Sequence, residues 1–428
     1  MRMIEKLTDQ KDLIAKALHE ESCLRSKKDF HSLSKLAVRF YGLGLEEKAR
    51  TLLLEISSFG DNRSPIAHKE LAKILYSEGD SRRAAYHTTQ AIIETPISSI
   101  TLESFRYLAK DPQVNADCLE MLETIVNEEE ASWRQLMAYA FLLKMQGNYD
   151  LASKYVARAT DDRYPTTSSL KTNRIEPSFI VAGAMKSGTT SFFDGLASHP
   201  RIMPPILKEL EFDFFRNDQV PREWYLSHYQ RERMGSTFMT GEANPGICVR
   251  PFAKRIKEVF PKIKLIFILR NPVDRAISHY YHMRKLGFES RSIEESLLIS
   301  MDTLEPLVNN EISLEEKIKT FVSYGADIKT NHYLFFGIYD VILNYWRSYF
   351  PDEQILVVPF DELIKDQEKL LNRAYDFLNL EQVSRTKKEI LLNKGHYTRK
   401  DEGEVERKLQ KFYQTTINFM QQHYDFSW

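Results

Sequence analysis

A lysine, two glycines and a run of hydroxyls carry the first chemistry legible in this sequence. In Gly183-Ala184-Met185-Lys186-Ser187-Gly188-Thr189-Thr190-Ser191 they stand between an apolar run, Phe179 to Val181, and a helix-compatible stretch, Phe192 to Leu196. Strand, small-residue loop and helix together present backbone N–H groups and a helix N-terminus to a phosphate-like anion. A loop for nucleoside triphosphates needs glycine, four residues, then Gly-Lys-Ser/Thr. Gly183 and Gly188 have nearly that frame, but Thr189 stands where the lysine belongs, and the lysine comes two residues before Gly188. An ordinary strand-to-helix turn with a solvated lysine would read the same way, so the loop needs a second motif beside it.

That second motif is Lys264-Leu265-Ile266-Phe267-Ile268-Leu269-Arg270-Asn271-Pro272. Five apolar residues in a row suggest a strand buried on both faces, as in parallel sheets. Arg270 marks its carboxyl end, and Ala276 to Met283 reads as the helix that follows. An arginine at that place is positioned to bind an anion in a doubly wound fold, and Ser278, eight residues on, could add a hydroxyl donor. Proton chemistry would fall to carboxylates. Glu209 and Glu211 lie in Lys208-Glu209-Leu210-Glu211-Phe212-Asp213-Phe214-Phe215, where aromatic packing can desolvate a carboxylate and make it a general base. A surface helix with hydrated carboxylates is the alternative. His279 and His282 are further candidate bases, but their helical spacing behind Arg270 makes at least one of them structural.

The elements that position these groups follow an alternating pattern. A short strand is expected around Thr237 to Thr240, then a turn at Gly241-Glu242-Ala243-Asn244-Pro245, then an amphipathic helix from Val249 to Phe260. Leu334 to Trp346 reads as an apolar-striped helix that stops before Pro351. Gln354 to Phe360 reads as another buried strand, Asp361 to Leu378 as a helix, and about 402–423 as a last helix. Buried strands alternating with helices predict an α/β domain around a parallel sheet.

The first part of the chain is different. Gly44, Gly79 and Gly147 each have an alanine seven residues earlier (Ala37, Ala72, Ala140) and another five residues later (Ala49, Ala84, Ala152). A degenerate copy, Ser104, Asp111 and Ala116, fills the gap between the second and third. A period of about 34 residues with small residues at fixed places resembles tetratricopeptide repeats. Small residues let antiparallel helices approach closely, glycine opens the turn, and Pro96 ends one unit. Such arrays form solenoids whose concave face commonly binds a partner. The expected organisation is an all-α repeat domain over 1–165, a polar linker over 166–176 and the α/β domain over 177–428.

Composition bounds the setting. The chain has 428 residues, a net charge of −1, 43% hydrophobic and 28% charged residues, as an ordinary globular protein does. That balance offers no bulk surface for nucleic acid. No apolar run approaches the roughly 18–20 residues of a membrane span, and the first twenty residues lack a signal-peptide core. Three cysteines, Cys23, Cys118 and Cys248, are far apart and odd in number, which argues against a disulfide framework and a zinc site. The expectation is a cytoplasmic protein.

The elements at 179–196 and 265–283, with Lys186-Ser187-Gly188-Thr189-Thr190 in one and Arg270 and Ser278 in the other, together resemble the two nucleotide-binding elements of sulfotransferases that use 3′-phosphoadenosine 5′-phosphosulfate (PAPS). Gly337-Ile338-Tyr339, Trp346, Phe350-Pro351 and Gln354-Ile355-Leu356-Val357 also look like the heparan-sulfate-type and bacterial glycan branch. Lys394-Gly395-His396-Tyr397 resembles the loop that closes over the nucleotide there. The resemblance covers 177–428 and leaves the repeats out. It implies a P-loop-like three-layer fold and transfer of a sulfuryl group from PAPS, the co-substrate, to a hydroxyl or amine, first of all on a carbohydrate. A protein tyrosine, a lipid alcohol or a small metabolite are alternative acceptors, and a glycan, peptide or carrier-bound acceptor could be presented by the repeats. No metal is expected.

The resemblance also implies roles. Ser187, Gly188, Thr189 and Thr190 would hold the 5′-phosphosulfate, Arg270 and Ser278 the 3′-phosphate, and Lys394 and Gly395 would cover the nucleotide. Lys186 would meet the charge that develops on the bridging oxygen. Glu209 or Glu211 would be the base, Glu209 being favoured by the lysine before it. The chain departs from the pattern at Ala243, where some glycan enzymes carry lysine, and it lacks both the C-terminal disulfide and the histidine of the small-molecule enzymes. A nucleotide kinase, or a repeat scaffold binding nucleotide without turnover, remain the competing readings.

Overall fold

The protein is described here by a computed structural model covering residues 2–59, 65–94, 108–128, 131–210, 213–235, 237–285, 288–326, 332–383 and 403–428. It divides into two compact units.

The first unit comprises Met1–Thr166 together with Val220–His228. After a long helix, Arg2–Ser26, come helix pairs: Phe30–Gly42 with Glu46–Ser57, Pro65–Ser77 with Ser81–Glu94, and Trp133–Met145 with Tyr149–Arg163. Gly44, Gly79 and Gly147 sit in their turns at φ +79°, +83° and +78°, backbone that an L side chain adopts only at a cost. All six alanines of the pattern are fully buried. The degenerate copy is displaced by one residue. Asp111 is the N-cap of the helix Pro112–Val126, its carboxylate accepting from the N–H groups of Gln113 and Val114. It therefore occupies the position after the turn glycine. Asn115, not Ala116, takes the buried place of Ala49, Ala84 and Ala152, donating to the carbonyls of Ala109 and Leu142, while Ala116 is exposed. Ser104 lies outside the described residues.

A segment from the middle of the sequence completes this unit. Trp224, on the short helix Arg222–Leu226, meets Tyr149 edge-on at 5.7 Å and lies 5.9 Å beneath the Lys144 ammonium. Thr160 donates to the carbonyl of Ser227. Nothing in the letters 220–228 signals this.

The second unit, Thr167–Gln219 and Tyr229–Trp428, holds a four-stranded parallel sheet of order β4-β2-β5-β6. Its strands are β2 (Pro177–Gly183), β4 (Thr240–Ala243), β5 (Lys264–Leu269) and β6 (Ile355–Pro359). The expected linker holds a further strand, β1 (Leu170–Arg174), antiparallel to β3 (Arg231–Arg233). The expected strand at Thr237 to Thr240 falls later, and Gly241 to Ala243 are strand, not turn. Glycine makes that pairing possible, because a Cβ at position 241 would stand 2.4 Å from the Phe179 carbonyl oxygen.

Helices cover both faces of the sheet. Phe179, Val181, Ile266, Ile268 and Val358 pack with Phe192, Phe193 and Leu196 of the helix Thr189–Ala197 and with Leu370, Leu371, Ala374 and Tyr375 of the helix Gln367–Leu378. On the opposite face Phe267 meets Trp346, of the helix Tyr339–Arg347, at 6.0 Å. Burial on both sides is why β2 and β5 read as unbroken apolar runs. Helices expected to be single are broken: Phe360–Lys365 ends before Gln367–Leu378, with Asp366 capping the second, and Gly403–Phe412 precedes Gln414–Tyr424. Leu334 to Trp346 begins as a 3-10 turn, Phe335–Gly337. The expected helix from Val249 shrinks to Ala253–Val259.

Candidate active site

β2 and β5 are adjacent, yet the chain leaves β2 for β4 on one side and leaves β5 for β6 on the other. Ligand crevices in open α/β sheets form outside the carboxyl ends of strands at such a reversal. The two candidate loops stand there.

After β2 the chain turns sharply. Lys186 has φ +70° and Gly188 φ +78°. Gly188 is the N-cap of the helix Thr189–Ala197, and no side chain caps that helix. The first-turn N–H groups of a helix have no intrahelical acceptors, and Gly188 brings no side chain to cap them. Glycine is needed at 188 for space as well as for φ. A Cβ there would stand 2.7 Å from Leu363 Cδ2 and 2.8 Å from Phe360 Cε2. The Ser187 hydroxyl is wholly buried and has no hydrogen-bond partner among the described residues. A buried hydroxyl without a partner and an uncapped helix start fit a bound anion.

After β5 the junction is built differently. Asn271 caps the helix Pro272–Lys285, its side-chain oxygen accepting from the N–H groups of Val273 and Asp274 at 2.9 and 3.3 Å. The charge here is a side chain. Arg270 lies 5.1 Å from the centre of the Phe360 ring and 3.9 Å from the Asp274 carboxylate, while its carbonyl accepts from the Tyr339 phenol at 2.8 Å. Burial pushes the Tyr339 phenol well above its ordinary range. Phe360, at the end of β6, thus touches both Gly188 and Arg270 and brings the two loops to one place. Ser278 lies two turns further along the helix and is largely buried.

Glu209 reaches the first loop through its neighbour. The Lys208 ammonium stands 2.6 Å from Glu209 Oε1 and 2.8 Å from Thr190 Oγ1. The backbone on either side of Glu209 is pinned. The Ala243 N–H donates to the Lys208 carbonyl at 2.9 Å, the Leu210 N–H donates to Glu242 Oε2 at 3.0 Å, and Asn244 Nδ2 donates to the Leu210 carbonyl at 2.6 Å. The Asn244 N–H in turn donates to Val181 of β2. Glu242 is fully buried, and Asn244 nearly so. Sequence reasoning took Glu242 and Asn244 for turn residues. The available signal was a carboxylate directly after a strand glycine, a place where a charge must find a partner. Lys208 was read only as a marker of register.

Glu211, Lys394 and Gly395 lie outside the described residues. His279 is fully buried, packed edge-on against Tyr333 and Phe336 and 3.5 Å from Arg275, which is a structural setting. Among the described residues no cluster of three metal-ligating side chains occurs, and no helix is long and apolar enough to cross a membrane.

Two strand-to-helix junctions at adjacent strand ends, with a carboxylate beside one of them, thus stand where open α/β sheets take their ligands. Residues 176–411 match the family described as the sulfotransferase domain, and the chain belongs to that family. It is accordingly an enzyme of sulfuryl transfer, in a family whose sulfate donor is PAPS. Among similar proteins is the membrane-associated sulfotransferase kil1 of Dictyostelium discoideum, 25% identical over 48% of this chain and 57% of that one. Bifunctional heparan sulfate N-deacetylase/N-sulfotransferase 4 of Mus musculus is 26% identical, and its counterpart 2 of Homo sapiens 25%, each over 48% of this chain. The chain spans 57% of the length of the first relative and 22% of each of the others. A sulfotransferase structure from Alicyclobacillus acidocaldarius aligns at 23% identity over 59% of this chain and 97% of its own, with a TM-score of 0.43.

Proposed function

We propose that this sulfotransferase moves the sulfuryl group of PAPS to a hydroxyl or amine of a carbohydrate. The observation that carries the reading is the Lys208–Glu209 pair held against Thr190, which sets a carboxylate beside an uncapped helix start. The carbohydrate part draws support from relatives named for heparan sulfate and from the sequence resemblance to the glycan branch.

When bound, the donor supplies a sulfuryl group and leaves as 3′,5′-adenosine bisphosphate. The amides around Gly188 and the hydroxyls of Ser187, Thr189 and Thr190 hold the 5′-phosphosulfate. Arg270 and Ser278 take the 3′-phosphate, with Phe360 stacking on the guanidinium. Lys186 meets the negative charge on the bridging oxygen as the S–O bond breaks. Glu209 accepts the acceptor's proton as the new bond to sulfur forms. Glu211 is the alternative base, and Lys394 and Gly395 complete the nucleotide site. The helical unit reads as a tetratricopeptide-like array that presents the acceptor or a protein partner.

Calorimetric titration of 3′,5′-adenosine bisphosphate against ATP with Mg²⁺, on wild type and Arg270→Ala, tests the donor. Tight binding of the bisphosphate, unmatched by ATP and weakened in the variant, is expected. Preference for ATP would return the chain to the phosphotransferases. Transfer of label from radioactive PAPS to desulfated heparin, a tyrosine peptide and a long-chain alcohol then tests the acceptor. Label in the peptide or the alcohol alone would overturn the carbohydrate assignment.

A further inference from the structure

We infer that Lys208 is a positioning residue that couples the donor loop to the base, an inference that deepens and rests on the donor reading above. Its ammonium touches both sides of the reaction centre, Thr190 Oγ1 at 2.8 Å and Glu209 Oε1 at 2.6 Å. An ammonium donates hydrogen bonds and accepts none. Lys208 must therefore donate a hydrogen bond to a lone pair of Thr190, and the hydroxyl hydrogen of Thr190 is left to point elsewhere. Thr190 is the second residue of a helix whose N-terminus no side chain caps. A hydroxyl whose hydrogen is turned away from the lysine is a donor for an anion at that terminus. The same ammonium fixes one oxygen of Glu209 and leaves the other oxygen for an acceptor proton. One side chain thereby sets the direction of a donor on the nucleotide side and of an acceptor on the other.

The backbone makes this arrangement stiff. Lys208 is held by its carbonyl to Ala243, and Leu210 is held through both its N–H and its carbonyl to Glu242 and Asn244. The peptide carrying Lys208 and Glu209 is thus fastened to the ends of β4 and β2, the strand that leads into the donor loop. Ala243 contributes only its backbone to the site, so Lys208 is the cation that this stretch of the fold brings to Thr190.

The test reads two quantities on the whole chain: affinity for 3′,5′-adenosine bisphosphate by calorimetry, and kcat with PAPS and desulfated heparin. The variants are Lys208→Met, Lys208→Arg, Thr190→Val and the double variant Lys208→Met/Thr190→Val. Lys208→Met is expected to lower kcat about a hundredfold, in the range of losing one preorganised contact, and to weaken bisphosphate binding only several-fold. In the double variant the two losses of affinity should not add, because both remove the same oriented hydroxyl. Lys208→Arg, which can still bridge two oxygens, should recover at least tenfold of the lost kcat. A purely structural lysine would lower the melting temperature and leave kcat per folded molecule unchanged. Additive affinity losses, or wild-type kcat in Lys208→Met, overturn the inference while leaving the donor assignment standing. Failure of the wild type to bind the bisphosphate overturns the donor assignment and this inference with it.

Discussion

The two strand-to-helix junctions at the ends of β2 and β5 lie side by side, yet they reach positive character by opposite means. After β2 the chain spends its side chains sparingly. Gly188 heads a helix without a side-chain cap, and the backbone itself is left to meet a ligand. After β5 the helix start is already satisfied by Asn271, so its amides are occupied and the charge is supplied by Arg270. An open terminus binds by shape and closeness and tolerates no Cβ. A closed terminus binds by one long side chain and can be altered piecemeal. The difference assigns different sensitivities to the two loops.

Disturbing the β2 junction should cost most. Lys186→Ala is expected to lower kcat by roughly 10²–10³-fold, the typical loss of one preorganised group facing developing charge, with bisphosphate affinity changed far less. Steady-state kinetics beside calorimetry would separate the two, and a loss of affinity with kcat unchanged would mean that Lys186 binds without acting on the leaving oxygen. Gly188→Ala should fail differently. It combines left-handed backbone with contacts at 2.7 and 2.8 Å to Leu363 and Phe360, an expected destabilisation of about 2–4 kcal/mol in urea melts with loss of donor binding.

At the β5 junction the effects should be smaller and separable. Arg270→Ala is expected to weaken bisphosphate binding about 10–100-fold, as for one charged hydrogen bond, with little change in stability. Asn271→Ala should do the reverse. Loss of the cap costs about 1 kcal/mol, read from the same melts, while donor affinity stays within twofold. If Asn271→Ala weakened the donor as much as Arg270→Ala, the contrast between open and closed junctions would be wrong.

The smallest expected effect concerns the packing beneath the first loop. Cys248 lies under Gly183, whose added Cβ would stand 2.7 Å from the Cys248 Cβ, and burial pushes its thiol up to about 12. Burial also pushes Cys118 up to about 11, whereas Cys23 is exposed. At pH 8 the folded protein should therefore take one iodoacetamide, on Cys23, as mass spectrometry would count. A second label on Cys248 would mean that the floor of the loop opens readily.

The parts legible in the sequence were those whose physics is local. β2 and β5 are buried on both faces, and their letters show it. The glycines of the helical hairpins need φ near +80°, and glycine is visible. The strands at 170–174 and 240–243 were misread because their stability comes from partners about sixty residues away, Arg231–Arg233 and β2, and composition reports nothing of a partner. The same holds for Lys208, Glu242 and Asn244. Each acts through a hydrogen bond across 18 to 34 residues of chain, and no spacing rule links such positions. The slip of the degenerate repeat by one residue had a local cause. Asp111 serves there as a helix cap, a role that glycine does not take in the other three turns.

The helical unit includes Val220–His228, and Trp224 is among its buried residues. During synthesis, its other residues have been made once the chain has passed Thr166, but this last piece has not. At roughly 5–20 residues per second, the delay is about 3–12 s. For that interval the surface of Tyr149 and Lys144 that Trp224 will cover waits uncovered, and the unit nearest the N-terminus is finished only after β2 and the loop behind it have been made. A chain cut after Thr166 would stay in that waiting state, and a chaperone would meet it there.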